Sequence, residues 1–257
     1  NAVSDAPVQW NPYDPRYFAD PYPVFRRLRE EAPCYYNAEY DFYAVSRYDD
    51  VERGLGDRDT FPSGRGGVLE MIKSGAKFPK GAFIFEDPPL HGIHRGVLTK
   101  VFTPKRMSAL EPQIREFCAR ALDPLVAGGE FNFIDDLGRD MPMRVIGLLL
   151  GIPEADLKAV QKEADDKLRT EPGKPMDYGD QNMMGEGFDD YVAWRARHPS
   201  DDLMTELLTS EIVDETGERR RLTHEEIVIF STILAGAGNE TTNRLIGWTG
   251  KTLAEHP

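Results

Sequence analysis

The sequence predicts a mainly α-helical fold with a small β-sheet near the N-terminus. Three observations carry that prediction. Apolar residues recur at helical spacing through most of the chain beyond residue 90. Residues 34–45 are instead rich in Tyr, Phe and Val, punctuated by Asn37 and Asp41, as a hairpin is. A late stretch with Ile227, Val228, Ile229, Phe230, Ile233 and Leu234 is apolar nearly all round, the pattern of a helix through a protein's centre. The chain has 257 residues, 40% apolar and 29% charged, which suits a globular protein of one large or two small domains.

The elements follow in order. Asp20-Pro21-Tyr22-Pro23 opens a short helix through Glu31, which ends before Pro33 because the residue preceding proline resists helical geometry. The hairpin at 34–45 comes next, then a short helix at 48–55. Residues 58–89 are Gly/Pro-rich with scattered Phe and Met, and a connection of that length is expected to be a functional loop or lid. Pro88-Pro89 precede a helix at 91–101, closed by Phe102-Thr103-Pro104. Helical patterns continue at 104–126, 136–150, 153–169, 182–197 and 203–209, with the most mobile loop expected around 172–179. The central helix then starts from a capping box, Thr223-His224-Glu225-Glu226.

Midway along that helix stands Ala237-Gly238-Asn239-Glu240-Thr241-Thr242. Gly costs roughly 1 kcal/mol in a helix interior, and hydroxyl side chains compete for backbone partners there. Two readings stay open. The helix faces a cavity where something polar or bulky approaches the backbone, or Gly236 and Gly238 only permit a close helix crossing.

The net charge of −13 disfavours non-specific binding to nucleic acid or anionic membranes. Residues 91–106 depart from that average, with Arg95, Lys100, Lys105 and Arg106, two histidines and no acid. Such a stripe suits an acidic partner or an anionic ligand, or is a solvated face. Cys34 and Cys118 match no disulfide or zinc spacing, and Cys118 falls on an apolar face. A reduced, cytoplasmic protein is expected, without leader or membrane anchor.

His91 and Arg95 are one helical turn apart, so an imidazole and a planar guanidinium share a face that suits a carboxylate. Such a pair also occurs on ordinary surfaces. His91 and His94 have helical metal-ligand spacing, but no third ligand lies near in sequence.

Taken in order, Asp87-Pro88-Pro89-Leu90-His91-Gly92-Ile93-His94-Arg95, Phe102-Thr103-Pro104 and Ala237-Gly238-Asn239-Glu240-Thr241-Thr242 resemble the bacterial cytochrome P-450 family of haem-thiolate monooxygenases. The Asp-Pro-Tyr-Pro helix and the hairpin extend the resemblance over nearly the whole chain. It implies that residues 1–257 are the N-terminal and central part of a single haem monooxygenase domain. It implies that His91 and Arg95 bind propionates of haem b, and that Ala237, Gly238 and Thr241 border its oxygen-binding face. Glu240 and Thr241 would be the catalytic acid–alcohol pair, since activating dioxygen takes two protons delivered inside a water-poor cavity. The loop at 58–85 would roof the substrate, and the segment around 172–179 would form the other lip.

The activity implied is insertion of one oxygen atom from O2 into a small apolar molecule, with electrons from a ferredoxin-like donor docked at Lys100, Lys105 and Arg106. Leu69, Met71, Phe83 and Phe85 fit either an apolar guest or the loop's own packing. The family's Glu-x-x-Arg and the Phe-x-x-Gly loop that presents the axial cysteine are not in this sequence; Glu218 and Arg221 have the first spacing in a polar stretch. No metal ligand is therefore assigned, and the activity is expected to depend on a C-terminal half. A helical fragment that binds an apolar ligand or partner without redox chemistry, and a peroxide-driven relative, are the alternatives.

Overall fold

A computed structural model describes residues 6–158, 160, 162, 173–175 and 187–256. It divides into two compact units, Asn1–Phe78 with Arg169–Gln181, and Pro79–Leu168 with Asn182–Pro257.

In the first unit, α1 (Arg16–Ala19) leads into α2 (Tyr22–Glu31), which carries Pro23 in its first turn, where a missing N–H costs nothing. Val24 and Leu28, one turn apart on α2, are buried with Val8 and Tyr35. The expected hairpin is present as antiparallel β1 (Cys34–Asn37) and β2 (Phe42–Val45), in register Cys34↔Val45 to Asn37↔Phe42. Its turn holds Asp41 at φ 49°, a left-handed conformation that Asp tolerates. Trp10 presents its ring edge-on to Phe25, Tyr35 and Phe42 at 5.8–6.5 Å. Beyond lie α3 (Tyr48–Gly56) and α4 (Leu69–Ser74), the latter burying Met71.

The second unit is built on its last helix. It runs through α5 (Leu90–Val101), α6 (Pro104–Leu122), a π-helical turn (Phe133–Gly138), α7 (Asp140–Leu150), α8 (Asp189–Arg197), α9 (Leu203–Thr209), the hairpin β3 (Glu211–Val213) and β4 (Arg219–Arg221), and α10 (His224–Glu255). With 32 residues, α10 is about 48 Å long. The π turn, α7, α8 and α9 pack along it. Phe230, Ile227, Ile229, Met143, Leu150, Met204 and Leu207 are each less than 2% exposed, so the core lies around the first half of α10. Arg195 and Asp202 pair at 2.9 Å beneath the surface, with Arg195 Nη2 donating to the Gly151 carbonyl at the end of α7 and Asp202 capping α9. No helix among the described residues is long and apolar enough to cross a membrane.

Several expectations change. The 58–89 stretch is not a plain loop, for it contains α4 and short 3-10 turns at Ser63–Arg65 and Phe83–Phe85. Met71 and Phe83 are buried, at 7% and 3% exposure. The helix expected to reach 126 ends at Leu122 and passes into a 3-10 turn, and the one expected from 136 starts at Asp140 behind the π turn. Glu218 to Arg221, read as polar loop, is the turn and second strand of the β3–β4 hairpin. The expected loop at 172–179 lies, apart from 173–175, outside the described residues, as do parts of the helices expected at 153–169 and 182–197.

Candidate functional site

The central helix begins as its sequence requires. Thr223 Oγ1 accepts the Glu226 N–H at 3.1 Å, and the Glu226 carboxylate accepts the Thr223 N–H at 2.8 Å. From there α10 is buried nearly all round as far as Ile233, and the motif at 237–242 falls where one face emerges.

Each residue of the motif has its own surroundings. A Cβ on Gly238 would stand 2.4 Å from Ile146 Cδ1, so its bare Cα admits α7 at close range. A Cβ on Gly236 would meet nothing within 4 Å. Asn239 is buried at 3% exposure, while Ala237 and Thr241, one turn apart, share an exposed face. Leu245 and Trp248, 65% and 62% exposed, continue that face along the helix. Thr241 Oγ1 donates to the Ala237 carbonyl at 2.7 Å. Glu240 is turned toward Arg244, whose Nη2 donates to it at 2.6 Å. Glu240 and Thr241 are thus adjacent in sequence but engaged with different partners.

On α5, His91 Nδ1 lies 2.9 Å from the Phe83 carbonyl, which can only accept, so Nδ1 carries the proton. Its Nε2 remains for another partner. Arg95 is exposed one turn later, with no side-chain partner among the described residues. Lys100 and Lys105 are exposed as well. Arg106 is not free, for it pairs with Glu206 and, at 3.3 Å, with Asp201.

Sequence reasoning missed a buried polar cluster centred on His94. His94 has no exposed surface, and its Nδ1 meets Glu86 Oε2 at 2.7 Å and Oε1 at 2.9 Å. On its other side Nε2 stands 3.6 Å from Glu226 Oε1, an ion-pair distance rather than a hydrogen bond. Arg220 closes the cluster with two bonds of 2.8 Å to Glu226. Burial opposes the charge on His94, but the carboxylates of Glu226 and Glu86 outweigh it and push the pKa up to about 9. Burial likewise opposes the charge on Glu226, and His94, Arg220 and the Thr223 N–H together hold its pKa far below the usual carboxylate range. The available signal was an acid at 86 just before a helix carrying two histidines, and Glu226 directly before an apolar run.

Among the described residues no group of three or more His, Cys, Asp or Glu side chains could hold a metal ion. Cys34 lies in β1 and Cys118 in α6, neither in a ligand-presenting loop. The donors present are a cation–imidazole pair suited to carboxylates, and an apolar helix face carrying one hydroxyl.

No family model matches this sequence. A Mycobacterium tuberculosis protein named as a cytochrome P450, number 123, is 33% identical across 99% of this chain and 63% of the relative. Cytochrome P450 109 of Bacillus spizizenii is 31% identical across 91% of this chain and 56% of its own length. The solved structure of cytochrome P450 CYP109Q5 from Chondromyces apiculatus superposes with a TM-score of 0.74 at 31% identity, over 95% of this chain and 61% of that one. The chain therefore spans about three fifths of the length of the relatives it matches.

Proposed function

As this chain belongs to the bacterial cytochromes P450, we propose that it forms the haem-holding and oxygen-activating part of a monooxygenase acting on a small apolar molecule. One observation supports this most. The residues the family would use, Arg95 on α5 and Ala237 with Thr241 on α10, stand on exposed faces of their helices instead of being consumed by packing. The donor set fits haem b in this respect, with cationic groups for its propionates and a small residue and a hydroxyl for its oxygen side. The axial thiolate is not among the described residues.

When bound, haem iron with O2 and two electrons supplies the oxidising power to place one oxygen atom in a C–H bond, the other leaving as water. The chain's own residues would act as follows. Arg95 grips one propionate with its planar fork. His91 can donate from Nε2 to a second only as an imidazolium, because its Nδ1 proton is committed to Phe83. Ala237 keeps the helix surface low. Gly238 contributes through its backbone, holding α10 against Ile146 so that this surface is fixed.

Thr241 donates to Ala237, which turns its lone pairs outward as an acceptor; rotation of the hydroxyl converts it to a donor. Glu240, beside Arg244 and partly exposed, collects protons from solvent and must leave Arg244 to pass them inward. Lys100 and Lys105 are the cations available to dock a ferredoxin-like donor, Arg106 being committed to Glu206 and Asp201. A cytoplasmic location goes with this reading.

Haem titration followed by absorbance tests it. Arg95→Ala and His91→Ala should each weaken haem binding about tenfold, the scale of a lost charge-assisted hydrogen bond. Unchanged binding in both would reject the assignment.

A further inference from the structure

We propose that His94 is a positioning residue for bound haem: pinned between Glu86 and Glu226, it holds the His91–Arg95 face of α5 in one setting relative to the Ala237–Thr241 face of α10. This rests on the haem reading above.

The geometry is that of a pin. His94 lies within the turn that carries His91 and Arg95, next to Arg95 in sequence. Rotating α5 enough to re-aim Arg95 would drag an imidazole with no exposed surface out from between two carboxylates. Those carboxylates come from separate segments. Glu86 closes the turn before α5 and also accepts the Gly81 N–H at 2.8 Å. Glu226 belongs to the first turn of α10, where it caps Thr223 and holds Arg220 of β4. Gly81 is packed so closely that a Cβ would stand 3.1 Å from Glu226 Cα, and its φ of 96° already excludes most side chains.

The same turn controls His91. Phe83 gives its carbonyl to His91 Nδ1 and lays its ring against Phe230, at 5.1 Å between centroids. His94 meets the same Phe230 ring edge-on at 5.7 Å. Phe230 is about 10 Å along the helix axis from Ala237, so the contact that seats α5 is rigidly joined to the proposed oxygen face.

The test is a double-mutant cycle read by haem release from the full-length holoprotein to an excess of a haem-scavenging apoprotein. The variants are His94→Phe, which keeps a ring but removes both carboxylate interactions, Arg95→Ala, and the two together. Each single change should speed release about tenfold, and the double variant should match Arg95→Ala within about twofold, since His94 acts through the α5 face. Multiplicative effects would make His94 a general stabiliser and overturn the proposal, as would unchanged release in His94→Phe. Should Arg95→Ala leave release unchanged, the haem reading fails and the pin with it; an effect of Arg95→Ala without one of His94→Phe sinks the pin alone. If circular dichroism shows His94→Phe unfolded, His94→Gln and Glu86→Gln take its place with the same expectations.

Discussion

His94 Nδ1 sits 2.7 Å from Oε2 of Glu86, with His94 wholly buried and the Glu86 side chain 7% exposed. A charged pair so enclosed is held by what surrounds it, here Glu226 and Arg220, and removing one partner leaves the other stranded. Glu86→Gln should therefore lower stability by about 3 kcal/mol in urea unfolding, far more than a surface ion pair would.

The cluster also sets a pH dependence. His94 is raised from 6.5 to about 9, so its contribution is complete below pH 6.5 and is lost as pH rises through 9. Glu226 is lowered from 4.5, so its contribution is complete above pH 4.5 and is lost as pH falls toward its depressed value. Stability from this cluster should be greatest between about pH 4.5 and 6.5 and decline on the alkaline side, by roughly 3 kcal/mol once His94 is neutral. Unfolding midpoints across pH 6–10 check this against His94→Phe, which should lack the alkaline decline. Parallel profiles would count against it.

Two glycines of the central helix, Gly236 and Gly238, should answer oppositely to the same change. Gly238→Ala pushes a methyl into Ile146 and should cost about 1–2 kcal/mol, overpacking exceeding the gain in helix propensity. Adding Ile146→Val, which removes Cδ1 at 2.4 Å but keeps Cγ1 at 2.9 Å, should recover part of that loss. Gly236→Ala meets open space and should stabilise by up to about 1 kcal/mol. Thermal midpoints of the three variants decide it.

Lys100→Glu and Lys105→Glu should slow reduction by an acidic donor and flatten its salt dependence, because both cations are free to face a partner. Arg106→Glu should show itself as lost stability, since it breaks contacts to Glu206 and Asp201. Stopped-flow reduction at two ionic strengths, beside thermal melts, separates the two.

Much of the fold was legible because its signals are local. The capping box at Thr223, the apolar run after it, and the Tyr/Phe/Val stretch at 34–45 each name their own structure, and each is found. What escaped depends on distant partners. The strand Arg219–Arg221 is three arginines with no alternation to read, and it pairs with a strand whose one buried residue is Ile212. Helix α4 is six residues long, too short for propensity to declare it. The π turn before α7 replaces an expected plain start of helix, and no periodicity in 133–138 announces it.

At the site the spacing of His91 and Arg95 was readable, but His94 was not. Its meaning depends on Glu226, 132 residues away in sequence, folding back against it. The capping role of Glu226 is local and legible in the sequence, whereas its approach to His94 is not. For the glycines the sequence left a close helix crossing open at both Gly236 and Gly238; α7 comes close at Gly238 through Ile146, while a Cβ on Gly236 would meet nothing within 4 Å.

The most direct measurement is the fate of reducing equivalents in the full-length, haem-loaded Thr241→Ala enzyme. If Thr241 and Glu240 deliver protons to activated oxygen, reductant use should persist within about twofold while product falls about tenfold and hydrogen peroxide rises to replace it. Product and peroxide yields unchanged from the parent enzyme would contradict the assignment of this helix face to oxygen activation.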